Sequence, residues 1–224
     1  MMKTAIILAG GTGTRLGGNI PKQYLKVANK PVITYCLEKF EANQLIDEII
    51  IVAAEEWYAF ISENIKNIRK FKCFAPAGSS RQHSILNGMK AANPQTKKVI
   101  IHDAARPNVS DNTISACILG LDEYDGVMPV LSVKDTIYYS ETGVQISSLL
   151  NRDQLFAGQA PESFLFKKYM AIHEGMTEEE LSLVRGSSEI AFKNGLSIKL
   201  IKGDEHNYKI TTLVDLEKFR SEVE

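Results

Sequence analysis

The stretch Thr4-Ala5-Ile6-Ile7-Leu8-Ala9-Gly10-Gly11-Thr12-Gly13-Thr14-Arg15-Leu16-Gly17-Gly18, followed by Ile20-Pro21-Lys22-Gln23, decides how this chain folds. A run of strand length stops at paired glycines, too short to span a membrane and without a cleavage-site pattern, which predicts a first β-strand. Glycines at the end of a parallel strand let backbone N–H groups converge on a phosphate without interference from a Cβ. A tight strand-to-loop turn would use the same glycines, so the pattern has to be tested. The P-loop form fails, because the loop holds no Gly-Lys-Ser/Thr. The dinucleotide form GxGxxG fails too, since counting from Gly11 puts Leu16 at the last glycine position. What favours a ligand is the pair of cations behind the glycines, Arg15 and Lys22. A fork and a point charge are suited to a nucleoside triphosphate whose oxygens gain charge during attack.

Outward from this loop, apolar runs alternate with segments of helical period. Strands are predicted at 4–9, 48–54, 98–102, 126–131 and 197–202, and helices at 32–43, 81–92 and 111–123, the last starting at Asp111. That alternation predicts an α/β fold: a mostly parallel sheet flanked by helices on both faces. From 133 to 160 the pattern changes. Val133 to Tyr139 and Val144 to Ser147 flank a turn at Ser140-Glu141-Thr142-Gly143, which predicts a β-hairpin. A hairpin between parallel units has no place in the sheet, so it is expected to project as an arm and make a homodimer. No linker or repeat interrupts residues 1–224, which predicts a single domain.

Composition excludes several classes. Lys+Arg 26 against Asp+Glu 27 argues against non-specific nucleic-acid binding and polybasic membrane attachment. Cys36, Cys73 and Cys117 are odd in number and widely spaced, which excludes a disulfide framework or a four-cysteine zinc site and predicts a cytoplasmic protein. Trp57-Tyr58-Phe60 reads as packing, with no basic interleaving for nucleic acid. Thr177-Glu178-Glu179-Glu180 reads as a helix cap with an acidic first turn.

Leu8 to Arg15 with Pro21-Lys22-Gln23 resembles the signature of the sugar-phosphate nucleotidyltransferases. Three later segments narrow the match: Gly78-Ser79-Ser80-Arg81-Gln82-His83-Ser84, His102-Asp103-Ala104-Ala105-Arg106-Pro107 and Tyr208-Lys209-Ile210-Thr211-Thr212. In order and spacing they are similar to the cytidylyltransferases acting on methylerythritol phosphate and on ribitol 5-phosphate, over nearly the whole chain. Asn151-Arg152 to Gly158-Gln159, and Lys209 to Thr212 ahead of Asp215-Leu216, lean toward the ribitol branch.

The resemblance implies a Rossmann-like (glycosyltransferase-A-like) fold and CMP transfer from CTP to a small phosphorylated polyol, with Mg²⁺ as cofactor. It implies catalytic roles for Arg15, Lys22 and Lys209. Leu8, Ala9, Gly10, Gly11, Thr12, Gly13, Thr14, Gly78, Arg81, Ser84 and Asp103 would bind the nucleotide. Asp103, Arg106, Thr136, Arg152 and Arg185 would meet the acceptor, Arg152 by reaching the neighbouring subunit's site. Asp103, a hard oxygen donor ending a buried-looking strand where open α/β sheets place ligands, would hold the metal; capping the next turn is its alternative role. Ser84 has the alternative of a helix-end hydrogen bond, His83 reads as a solvated surface residue, and His102 reads as packed or hydrogen-bonded rather than ligating.

Two stretches depart from the family's pattern. Arg185-Gly186 stands where Thr-Asp is usual, and Gln159-Ala160-Pro161-Glu162 where Thr-Pro-Gln is common. Both lie on the acceptor side, which predicts an unchanged donor and an altered acceptor, of the ribitol or glycerol phosphate type. The competing readings are a methylerythritol-phosphate cytidylyltransferase and, in another class, a non-catalytic nucleotide-binding module.

Overall fold

Ala5, Ile6 and Ile7 are fully buried although successive strand side chains point to opposite faces, so the first strand must be covered from both sides. The computed structural model describes residues 1–11 and 20–223. Among these the strands are β1 (Met2–Leu8), β2 (Lys26–Val27), β3 (Lys30–Pro31), β4 (Glu48–Ala53), β5 (Phe71–Pro76), β6 (Thr96–Asp103), β7 (Gly126–Ser132), β8 (Ile137–Tyr139), β9 (Ser148–Leu150), β10 (Phe156–Gly158), β11 (Glu162–Leu165) and β12 (Ile198–Lys202). The helices are α1 (Val32–Ala42), α2 (Tyr58–Asn64), α3 (Arg81–Lys90), α4 (Asp111–Leu119), α5 (Phe166–Glu174), α6 (Glu178–Leu183), α7 (Ser187–Lys193) and α8 (Leu213–Val223).

The main sheet runs β10-β7-β11-β6-β1-β4-β5, with β12 also paired to β7. β5, β4, β1 and β6 are mutually parallel, and β12 is parallel to β7. Only β10 and β11 run against their neighbours, which makes the sheet mixed but mostly parallel. The predicted α/β class therefore holds.

Alternation along β1 and β4 divides the core. Ile7, Ile49 and Ile51 pack with Ile33, Leu37 and Phe40 of α1 and Ile114 and Ile118 of α4. Ile6 and Ile50 face the other layer, with Ile85 and Met89 of α3, Tyr169 of α5, Leu181 of α6 and Ile190 of α7. Trp57 stacks on Tyr24 and Tyr58 on Phe74, so this aromatic run is packing, as read. A third, smaller cluster joins Val27 and Val32 to Ile210, Leu216 and Phe219 of α8.

The hairpin forms, but with a correction. β8 pairs antiparallel with β9, so the returning strand is 148–150 rather than 144–147. The intervening residues fold back on themselves instead: the Ser140 hydroxyl donates to the Gln145 carbonyl and accepts from the Gly143 N–H, whose φ of 76° suits glycine. The pair stands as its own two-stranded sheet. Helix α4 begins at Asp111, as predicted, with Ser110 as its cap accepting from the Thr113 N–H, but it ends at Leu119, and a short 3₁₀ turn follows. No helix among the described residues is long and apolar enough to cross a membrane.

Candidate active site

Register brings the site together. Leu8, the last residue of β1, lies beside Val52 of β4 and Asp103 of β6, so three parallel strands end at one level. Loops leaving parallel strand ends form the crevice in which open α/β sheets bind ligands. Here it is a cleft of about 490 Å³. Leu8, Gly10, Gly11 and Lys22 line it from one side, Gly78, Ser79, Ser80, Arg81 and Ser84 from another, and Asp103, Ala105 and Lys209 from the floor. Residues 12–19, and with them the predicted Thr12, Gly13, Thr14 and Arg15, lie outside the described residues.

The start of the glycine loop is fixed by two side chains to which the sequence pattern assigned no role, Gln23 and Tyr24. Gln23 donates to the carbonyls of Ala9 and Gly11 at 2.6 and 2.7 Å, and the Tyr24 hydroxyl to Ala9 at 2.9 Å. The Ala9 N–H donates to the Val52 carbonyl at 2.7 Å. Ala9 thus has both backbone groups engaged and is buried behind the cleft, so it positions the loop rather than lining the cleft. Gly10 is held by close approach: a Cβ there would lie 2.5 Å from the Ala77 Cβ. Lys22 is buried in the short 3₁₀ turn Lys22–Tyr24 and still lines the cleft.

Across the cleft, the loop before α3 closes on itself. The Gly78 N–H donates to the Ser84 hydroxyl at 3.0 Å, which in turn donates to the Ser80 carbonyl at 3.0 Å. A Cβ on Gly78 would meet the His83 Cβ at 2.3 Å and the Ser84 backbone nitrogen at 2.8 Å. Ser84 thus makes the helix-end hydrogen bond and also lines the cleft. The reading of His83 is corrected: Ser79 bonds its Nδ1 at 2.6 Å, and its Nε2 is buried without a partner among the described residues.

Asp103 is the electrostatic centre. Its carboxylate lies 2.9 Å from Lys209 Nζ, 3.6 Å from Arg81 Nη2 and 3.6 Å from Arg106 Nε. Burial pushes its pKa up, but the Arg81 and Lys209 charges overcome that and hold it well below the usual carboxylate range. Lys209 is carried there by a segment anchored at Ile210, whose N–H donates to the Ala105 carbonyl. Beyond it, the Asp215 carboxylate accepts from the N–H groups of Thr211 and Thr212 and caps α8. His102, next to Asp103, is buried against Phe40 with Nε2 at 2.9 Å from the Arg106 carbonyl, which makes it a packed residue as read. Arg106 is turned from the cleft lining to the Asn207 carbonyl, at 2.7 Å.

The remaining acceptor-side candidates stand apart from the cleft within one chain. Thr136 and Arg152 are exposed on the hairpin segment, Arg152 donating to the Lys134 carbonyl. Arg185 is exposed between α6 and α7, its N–H bonded to Glu189. Two residues in or beside the departing stretches are closer in: Arg81 Nη1 donates to the hydroxyl of Ser187, which follows Gly186, and Arg81 Nη2 lies 3.5 Å from Glu162. Glu162 and Ser187 are not among the site residues expected from the sequence; its one signal for them is that Glu162 falls in, and Ser187 directly after, a stretch where the family's pattern fails.

A family model for the 2-C-methyl-D-erythritol 4-phosphate cytidylyltransferases (IspD) matches residues 3–222. The chain belongs to this family. It is a CTP-dependent cytidylyltransferase. It is 36% identical to the 2-C-methyl-D-erythritol 4-phosphate cytidylyltransferase of Clostridium botulinum, covering 95% of this chain and 93% of the relative. It is 30% identical to the ribitol-5-phosphate cytidylyltransferase of Vibrio parahaemolyticus, covering 98% and 95%. Among solved structures, the 4-diphosphocytidyl-2C-methyl-D-erythritol synthase of Anaerococcus prevotii has the same fold, with a TM-score of 0.87 at 24% identity over 99% of this chain and 96% of that one.

Proposed function

We propose that this cytidylyltransferase moves CMP from CTP to the phosphate of a small linear polyol, of the ribitol 5-phosphate or glycerol phosphate type. The observation that carries the acceptor reading is the loop beside Arg81. Arg185-Gly186-Ser187 presents a hydroxyl and no carboxylate there, and Ser187 already engages the guanidinium. Losing an acceptor-side carboxylate and gaining a guanidinium changes which hydroxyls or phosphates can be held there, which supports an acceptor other than the family's usual one. The similarity to the ribitol-5-phosphate enzyme supports the same reading. Methylerythritol phosphate is the second reading, supported by the family model and the 36% identical relative.

In the proposed reaction an acceptor phosphate oxygen attacks the α-phosphorus of CTP in line. The bond from the α-phosphorus to the bridging oxygen breaks, and pyrophosphate carries that electron pair away. No general base is needed, because a phosphate monoester is already an anion at neutral pH. The protein's part is to hold two mutually repelling anions in line and neutralise them. Lys22 and Lys209, with Arg15, would take the triphosphate charge; backbone N–H groups of Gly10, Gly11 and the following residues through Thr14 would add donors; Gly78, Arg81 and Ser84 would hold the nucleoside side. Asp103 fits Mg²⁺, a hard ion that takes one or two carboxylates and fills its remaining positions with substrate phosphate and water. No group of three His, Cys, Asp or Glu surrounds that position among the described residues. When bound, the ion would supply charge neutralisation on the triphosphate. We place the enzyme in the cytoplasm as a homodimer, its 133–160 arm bringing Thr136 and Arg152 to the partner's acceptor.

The test is a pyrophosphate-release matrix of CTP, UTP, ATP and GTP against ribitol 5-phosphate, glycerol phosphate and methylerythritol phosphate with Mg²⁺. CTP with a linear polyol phosphate is expected to give the highest kcat/KM; a clear maximum with methylerythritol phosphate overturns the acceptor reading.

A further inference from the structure

Arg81 lines the cleft, yet most of what holds it lies behind the cleft. Its guanidinium bridges two carboxylates, Asp103 at 3.6 Å on the cleft side and Glu162 at 3.5 Å on the far side, while Nη1 donates to Ser187. Glu162 opens β11, where its partner across the ladder is Ile101 of β6, two residues before Asp103. Its side chain is 9% exposed. The other carboxylate oxygen accepts from the Ser188 N–H at 2.7 Å and the Ser188 hydroxyl at 2.6 Å. Glu162 is thus a buried charge that is paired and hydrogen-bonded, the condition under which a buried carboxylate is tolerated. Around one cleft side chain these contacts gather Glu162, from one departure from the family's pattern, and Ser187, the residue after the other at 185–186.

We propose that Glu162 is a positioning residue for cytidylyl transfer: it divides the Arg81 guanidinium between two carboxylates and so keeps Arg81 from collapsing fully onto Asp103. With Glu162 present, Arg81 is shared, its planar fork is fixed by Ser187, and Asp103 keeps part of its negative charge for the cleft. With Glu162 neutral, Asp103 becomes Arg81's one carboxylate partner among these contacts, and the cleft loses the set orientation of the guanidinium and more of the Asp103 charge, which Lys209 and Arg106 already share. The inference uses the reaction class and does not depend on which polyol phosphate is the acceptor.

A double-mutant cycle tests it, read as kcat and KM for CTP by pyrophosphate release with whichever acceptor the parent enzyme uses best, alongside melting temperature. Glu162→Gln keeps the volume and the Ser188 contact region. It is expected to lower kcat about tenfold in the parent, and less than about twofold in an Arg81→Gln background, because residues that act through one another are non-additive. Glu162→Asp is expected to recover part of the loss. Ser188→Ala, which removes one bond holding Glu162 without touching Arg81, is expected to change kcat less than about twofold. Equal losses from Glu162→Gln in both backgrounds, no loss in either, or a Ser188→Ala loss as large as that of Glu162→Gln would each overturn the proposal, the last by showing that the residue only anchors α7. Should the parent release no pyrophosphate with any acceptor, the functional proposal fails by itself. The cycle is then read as calorimetric affinity for CTP with Mg²⁺, with the same non-additivity expected and its absence overturning the proposal.

Discussion

Asp103 and Lys209 are 106 positions apart in the chain and 2.9 Å apart in the cleft, a separation at which each shapes what the other can do. Lys209 is about one-third exposed, so its pair with Asp103 contributes modestly to stability, whereas under the proposed function its charge would face a developing triphosphate. Lys209→Met is therefore expected to lower turnover by about 100-fold in a pyrophosphate-release assay, with little change in melting temperature. Lys22→Ala should behave likewise in turnover. His173 makes the opposite kind of prediction, about stability alone. Burial pushes its pKa down to about 4, against a smaller upward pull from the Tyr169 carbonyl. The unfolded chain then binds the extra proton between about pH 6.5 and pH 4, so stability falls as the pH drops through that window. Calorimetry should show a lower melting temperature at pH 5 than at pH 7, and a shallower dependence in His173→Gln.

At the scale of elements, the loop before α3 carries the sharpest steric requirement. A methyl group on Gly78 would have to displace the Ser84 backbone nitrogen, 2.8 Å away, and not merely a side chain. Gly78→Ala is expected to break the Gly78–Ser84 bond and weaken CTP binding about tenfold or more, measured by calorimetry, beyond its effect on folding. Helix α6 offers a control remote from the cleft. Thr177 accepts from the Glu180 N–H while Glu180 accepts from the Thr177 N–H, a reciprocal cap, and Thr177→Ala should cost about 1 kcal/mol in denaturant unfolding and leave kcat unchanged. Elements whose signal is an apolar run or period were legible in the sequence: β1, β4, β6, β7 and the partly exposed β12, with α1, α3 and α4. β5 was not, because Phe71-Lys72-Cys73-Phe74-Ala75-Pro76 is an edge strand that mixes exposed charge with packing and ends in proline. β11 hides behind the charge of Glu162, and α7 is too short to show a period. The site was legible where glycines and cations share a motif, at Gly10, Lys22, Gly78, Asp103 and Lys209. It was not where a polar side chain acts on another from behind, as Gln23 does on Ala9 and Glu162 on Arg81.

For the whole molecule, the arm and the C-terminal helix matter most. Tyr138, Val144, Ile146 and Leu149 are all more than half exposed on the hairpin segment, an apolar surface with no cover in one chain. Under the homodimer proposed above, Ile146→Ser with Leu149→Ser should shift sedimentation from dimer to monomer and reduce transfer, while CTP binding persists. Lys22 and Lys209 enter the cleft from opposite ends of the sequence, and Leu216 and Phe219 of α8 close one small apolar cluster over the segments that carry both. Both lysine-bearing segments therefore rest on one apolar support, and loosening α8 loosens the two cations together.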